Sequence, residues 1–193
     1  MSRVLVIDDH GPSRKHLVSM LRESGYEVVG EGASGAAGLD LAASIAPDVT
    51  LMAVGLADLD GIQAARKIMQ AHPHAIVLLT SHNDAATIER ATRAGVMGYL
   101  AKPLRECELR PAIELAIARF QAFATLQKEN EDLKKNLGAR KIIERAKGIL
   151  MDSQRLTEAA AFALIQRKSM DTRKPMAEIA QAIVLAEDMT KRS

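Results

Sequence analysis

Over the first 115 residues, short apolar runs alternate with stretches whose apolar positions recur every three or four residues. Arg3–Ile7, Glu27–Gly30, Val49–Val54, Ala75–Thr80 and Gly98–Ala101 read as strands. Ser13–Ser24, Gly35–Ile45, Gly61–Ala71 and Asp84–Ala94 read as helices between them, and a fifth helix begins at Pro111. Gly25, Pro47, the His72-Pro73 pair and Gly95 punctuate the pattern. Strands such as AIVLLT are apolar without alternation, which implies burial on both faces. Helices between such strands predict a parallel, doubly wound sheet. Five units fit a flavodoxin-like α/β fold, whose ligands gather at the carboxyl ends of the strands.

After Pro111 nothing interrupts the helical pattern until Gly138. Phe123, Leu126, Asn130, Leu133 and Leu137 are spaced 3, 4, 3 and 4, the a/d seam of a coiled coil with Asn130 at an a-type place. Two readings stand: a short parallel dimer coil whose register Asn130 fixes, or one long helix packed on its own protein. The remaining residues predict three helices. Arg140–Met151 carries Ile142, Ile143, Ala146, Ile149 and Leu150 on one face. Thr157 caps the second helix, with Glu158 complementing its dipole. Pro175 opens the third, with Met176, Ile179, Ala180, Ile183 and Val184 inside. The predicted division is residues 1–118, a linker at 119–137, and a small all-α module at 138–193.

Charge sharpens this division. The net charge of +2 conceals an acidic front, 11 Lys/Arg against 14 Asp/Glu over residues 1–115, and a basic tail, 11 against 7 over residues 138–193. That asymmetry suits a cation or phosphate site in front and an anionic partner behind. No apolar run approaches a membrane span or a signal-peptide core, so a cytoplasmic protein is expected. A single cysteine, Cys107, excludes an internal disulfide and a cysteine-rich zinc site. The five histidines show no metal spacing, although His10 and His82 flank the acidic end of the strands.

Asp8 and Asp9 follow the first strand, where adjacent carboxylates call for a cation. Mg²⁺ takes oxygen ligands and keeps several waters, which suits an open site of this kind. Thr80 ends the fourth strand and Lys102 follows the fifth, so both fall in the same crevice. A hydroxyl and an ammonium there match the oxygens of a phosphoryl group. Lys102-Pro103 predicts a fixed turn, cis or trans, that aims the lysine.

Asp8-Asp9, Thr80, Tyr99, Lys102-Pro103 and the stretch PDVTLMAVGLADLDG resemble the receiver domain of two-component response regulators, over residues 1 to about 120. The resemblance implies Mg²⁺ held by Asp8, Asp9 and the Gly55 carbonyl. It also implies a switch pair in Thr80 and Tyr99, and phosphorylation by a sensor histidine kinase at an aspartate ending the third strand. Ala53 stands at that place. A methyl group is neither nucleophile nor metal ligand. Asp58 and Asp60 lie in the following loop, too far along to replace it, and the loss of a ligand should weaken Mg²⁺. The otherwise intact pocket favours deliberate replacement over decay. The chain therefore reads as an unphosphorylatable form of a working receiver.

Arg140, Lys141, Arg145 and Lys147 cluster on one helix, and Arg167, Lys168, Arg173 and Lys174 surround the last interhelical turn. Such clusters bind phosphates, and Arg also stacks on bases; a solvated face is the plain alternative. Phe162, the tail's only aromatic, is expected in the core. ERAKGILM, the Thr157-Glu158-Ala159-Ala160 start, IQRKSM and a final Ala-rich helix resemble the ANTAR domain over roughly residues 125–189. The resemblance implies an RNA-binding module that acts as a dimer on paired stem-loops in leader RNA, preventing a terminator hairpin. Ser169 departs from the family, where alanine often precedes the methionine. Two other readings are a DNA-binding regulator and a phosphorylation-independent scaffold for RNA or protein. The DNA reading is disfavoured by a third helix, Met176–Ala186, that carries mainly Ala, Ile and Gln. An enzyme is the least expected class, because the tail has no His or Cys.

Overall fold

A computed structural model describes residues 1–81 and 85–190. The chain divides into two compact units, Met1–Ala124 and Thr125–Ser193. In the first, strands β1 (Arg3–Ile7), β2 (Glu27–Gly32), β3 (Val49–Ala53), β4 (Ala75–Thr80) and β5 (Gly98–Ala101) form one parallel sheet. Its order, β2-β1-β3-β4-β5, is the flavodoxin-like arrangement. Helices α1 (Gly11–Glu23), α2 (Gly35–Ile45), α3 (Gly61–Ala71) and α4 (Ala85–Arg93) cross between the strands. The expected α4 start at Asp84 and the flanking His82 lie outside the described residues. β2 runs two residues further than its apolar stretch, and β3 stops one residue short of Val54.

The pleat sorts each strand's side chains between two cores. Val4, Val6, Val49, Leu51, Val77 and Leu79 pack with Leu17 and Leu21 of α1 and with Leu109 and Ile113. Leu5, Ile7, Met52, Ile76 and Leu78 pack with Ala42, Ile62, Ile68 and Ala91 of α2, α3 and α4. Gly25 (φ 85°) ends α1 in a left-handed conformation that other residues adopt at a cost. From β1 the chain steps to one side for β2 and to the other for β3. The carboxyl ends of β1 and β3 thus flank the switch point, where a doubly wound sheet opens a crevice.

The helix expected from Pro111 is α5, Glu106–Gln154, and it differs from the expectation at both ends. It starts five residues earlier, so Pro111 lies inside it. It also continues through Gly138, so the first of the three expected tail helices is its last part. A glycine inside a helix costs about 1 kcal/mol relative to alanine, too little to end a helix this long. Gly138 meets no neighbour within 4 Å, so it marks an open place on the helix.

The second unit packs the end of α5 against α6 (Glu158–Thr172) and α7 (Met176–Thr190). Thr157 caps α6, its hydroxyl accepting from the Ala160 N–H at 3.3 Å. Arg173, in the left-handed region at φ 55°, closes the other end. There the Ser169 hydroxyl donates to the Lys174 carbonyl at 2.5 Å. The fully buried core is Ala146, Leu150, Ala161, Ile165, Ala180 and Val184, half of it alanine. Larger side chains burying about 1.5–3 kcal/mol each are few here, so the unit's own core is thin. Phe162 is not part of it. The ring is 42% exposed, because Ala161, Leu164 and Ile165 take the inward positions of α6.

At the amino end of β4, His74 is buried and fully bonded as a neutral ring. Its Nδ1–H donates to the His72 carbonyl at 2.8 Å, and Nε2 accepts the Thr50 hydroxyl at 2.7 Å. Burial holds its pKa below the ordinary 6.5. The unfolded chain therefore binds a proton below that pH that the fold refuses. Stability is complete above pH 6.5 and falls as pH drops toward the lowered value. Thermal melts between about pH 7.5 and 5.5 should show this slope, and His74→Gln should flatten it. An unchanged slope in the variant contradicts the assignment.

Candidate functional sites

Asp8 follows β1 and is only 1% exposed. A buried carboxylate needs donors on both oxygens. Oδ1 accepts the His10 N–H at 3.0 Å, and Oδ2 accepts Lys102 Nζ at 2.6 Å. Lys102 is carried there by β5, its N–H bonded to the Thr80 carbonyl at 2.8 Å, with a cis peptide to Pro103. Asp9, Ala53, Gly55, Thr80 and Lys102 line one cavity of about 370 Å³, together with Val54, Leu79, Ser81 and Thr87. Asp9, Thr80 and Lys102 thus meet around Ala53, which is 2% exposed, and Asp8 joins them through Lys102. Tyr99 is 51% exposed on β5 and does not line the cavity.

Both carboxylates of the following loop are committed elsewhere. Asp58 accepts the Gly35 and Ala36 N–H groups at 2.8 and 3.0 Å, and these donors hold its pKa low. Asp60 caps α3 through the Ile62 N–H at 3.1 Å and pairs with Arg90. Neither lines the cavity. The capping role of Asp60 was readable from Asp-Gly before an apolar helix. The reach of Asp58 back to α2 had no local signal, nor did the presence of Thr87 at the cavity. Gly61 follows Asp60 because a Cβ there would overlap the Ala53 carbonyl. His10 is the N-cap of α1, its Nδ1 accepting from the Ser13 N–H at 3.3 Å.

Among the described residues no group of three or more His, Cys, Asp or Glu side chains is placed to hold a metal. The one carboxylate lining the cavity is Asp9, with Gly55 and the hydroxyl residues Thr80, Ser81 and Thr87 beside it, while Asp8 is already neutralised by an ammonium. This set fits a Mg²⁺ site weakened by one carboxylate, since Mg²⁺ is ordinarily held by one or two carboxylates with water completing the shell.

In the second unit the basic residues separate into two groups. Lys147 has its stem buried and its ammonium between Glu144 (2.8 Å) and Glu158 (2.7 Å), which raise its pKa and lower that of Glu158. Arg145 is paired with Asp188 at 2.9 Å. Arg140, Lys141, Arg167, Arg173 and Lys174 make no ion pair with any described residue. An open groove of about 620 Å³ between α5 and the start of α7 is lined by Lys135, Lys141 and Arg145 with Ala177, Glu178 and Gln181. The α6–α7 turn bearing Arg173 and Lys174 ends directly before Met176, so the two basic clusters approach one end of the bundle. Along α5, Phe123, Leu126, Leu133 and Leu137 are exposed, Leu133 by 68%. No helix among the described residues is long and apolar enough to cross a membrane.

A parallel sheet with an acidic crevice at its switch point, followed by a long helix and a small basic bundle, defines a response regulator with an all-α output module. Comparison with known proteins agrees. The response regulator receiver domain matches residues 4–114, and the ANTAR domain matches residues 131–184. The transcriptional regulatory protein PdtaR of Mycobacterium tuberculosis is 42% identical over 94% of this chain and 89% of its own length. The response regulator GacA of Pseudomonas viridiflava is 37% identical over 61% of this chain and 56% of its own. The signal receiver domain of NarL from Mycobacterium tuberculosis superposes with a TM-score of 0.58 at 33% identity, covering 61% of this chain and 96% of that one. The chain therefore belongs to the response regulators that join a receiver domain to an ANTAR domain. Receiver domains generally bind Mg²⁺ at the acidic phosphorylation site, and in this crevice alanine stands at the end of β3.

The pairing of Asp8 with Lys102 can be measured. Lys102→Met should destabilise the receiver by roughly 2–4 kcal/mol in denaturant unfolding, because it strands a buried carboxylate. Asp8→Asn together with Lys102→Met should recover most of that loss. Additive losses in the double variant would refute the pairing.

Proposed function

We propose that this chain is an RNA-binding antitermination regulator whose receiver cannot be phosphorylated. The observation that carries this is Ala53 at the acceptor place of an otherwise assembled crevice, in a chain that ends in an ANTAR domain. A phosphoryl group moves to a receiver by attack of a carboxylate oxygen on phosphorus, and a methyl group offers no lone pair for that step. Asp58 and Asp60 are held by helix caps, so no neighbouring oxygen takes over. A bound Mg²⁺ would lean on Asp8, Asp9 and the Gly55 carbonyl, in competition with Lys102. Its chemistry would be to neutralise phosphoryl oxygens. A sensor histidine kinase is a partner only for a form with aspartate at position 53.

The output is read as a cationic bundle end that grips structured leader RNA in the cytoplasm, with no catalytic step of its own. Arg140, Lys141, Arg167, Arg173 and Lys174 supply free cations for phosphates. Arg145 would first have to leave Asp188, and Lys147 has both neighbouring acids on it, so its weight falls on the fold of the bundle. The exposed seam Phe123, Leu126, Asn130, Leu133 and Leu137 is read as the contact between two copies, and residues 119–137 as the linker that bears it. A dimer presents two bundles, so a second stem-loop binds at high effective concentration. The thin core of the second unit favours such a partner.

Acetyl phosphate should label Ala53→Asp and leave the Ala53 chain unlabelled; equal uptake would overturn the assignment. In sedimentation, the Ala53 chain should run as a monomer or weak dimer. The phosphorylated variant should dimerise about 5- to 150-fold more tightly, the usual scale of an allosteric coupling. A tight dimer whatever stands at position 53 would instead support a phosphorylation-independent scaffold. Binding to a two-stem RNA should weaken steeply with salt and with Arg173→Ala, and exceed binding to duplex DNA. Preference for the DNA would favour a DNA-binding regulator.

A further inference from the structure

Phe162 is the only aromatic residue of the second unit, and it stands outside the core of that unit. An apolar ring left 42% exposed forgoes part of the burial that would otherwise stabilise the bundle. Ala159, one turn before it, and Gln166, one turn beyond, are exposed as well. Met170 continues the same stripe, and the stripe ends at Arg173 and Lys174, whose charges no described residue neutralises. From Phe162 to Arg173 the helix rises roughly 16 Å, a span of a few nucleotides. An exposed aromatic beside an amide and followed by free cations has the chemistry of a single-strand platform. The ring stacks on a base, the amide meets a base edge, and the cations take phosphates.

We infer that Phe162 is a base-stacking residue, reading an unpaired base in the loop of an RNA hairpin with Gln166 beside it. The inference rests on the RNA-binding reading above and adds to it the class of contact and the face of α6 that makes it. A second copy of the chain is a poorer occupant. The stripe has only two large apolar side chains, interrupted by Gln166, and self-association would bring like charges at Arg173 and Lys174 together.

The test uses the full chain with two probes at about 50 mM salt. One is a pool of stem-loop RNAs with randomised loops on a fixed stem, and the other is the same stem as a blunt duplex. Phe162→Ala and Phe162→Leu should weaken hairpin binding by about 5- to 100-fold and leave duplex binding unchanged. The protein contains no tryptophan, so Phe162→Trp supplies a single tryptophan, excited selectively over the two tyrosines, on the ring's own site. Its emission should be quenched by the hairpin pool and not by the duplex. Should Phe162→Ala fail to fold, the leucine and tryptophan variants decide alone. Unchanged hairpin affinity and no quenching overturn the inference while leaving RNA binding intact. A change in sedimentation with unchanged hairpin affinity assigns the face to a second copy and also overturns it. If the unaltered chain binds neither probe, the RNA reading itself fails.

Discussion

A carboxylate removed from water must find a positive partner, and Asp8 finds Lys102. The bond ties the end of β1 to the segment after β5, across the full width of the crevice. In a crevice with an aspartate at position 53, the ammonium would have two carboxylates to choose between. With alanine there it has one buried choice, and Asp8 has one ammonium. The geometry of the crevice rests on that single pairing, whereas the proposed loss of phosphoryl acceptance follows from the methyl group at position 53. The pairing also holds the walls of the pocket together with alanine at position 53.

The second half obeys a different constraint. Three helices of this length cannot bury much, and half of the fully buried set is alanine. Ion pairs therefore hold the helices in place at the rim: Lys147 joins α5 to α6 through Glu158, and Arg145 joins α5 to α7 through Asp188. Both are cations that a charge count alone would assign to a nucleic-acid surface. Of the two clusters, the cations left over are those near the α6–α7 turn and at Arg140 and Lys141. Net charge thus overstates the binding surface, and the pattern of acids one or two turns away corrects it.

Much of the fold was legible because buried parallel strands write themselves as unbroken apolar runs. β1, β4 and β5 and helices α2 and α3 fall where those runs and their caps lie. The crevice was legible for the same reason: strand ends are marked by the first polar residue after each run, so Asp8, Thr80 and Lys102 announced themselves. The boundary of α5 was not. A glycine reads as a break only when no other force continues the helix, and residues on both sides of Gly138 favour one. Phe162 was misplaced because aromatic rings are usually core, whereas the inward positions of α6 are set by its period and already filled. The use of Asp58 and Asp60 was half visible: a cap on the helix that follows is local, but a cap on a helix twenty residues earlier belongs to the tertiary fold.

The two loop acids also decide how little of the crevice would change if a carboxylate stood at position 53. Because Asp58 serves α2 and Asp60 serves α3, the backbone after β3 is held in place without help from residue 53. Alanine and aspartate codons differ at their middle base. A single base change there therefore puts a carboxylate into a ready-made pocket. On the reading proposed above, the input is set by one side chain rather than by the scaffold, and restoring it would not require the regulator to refold.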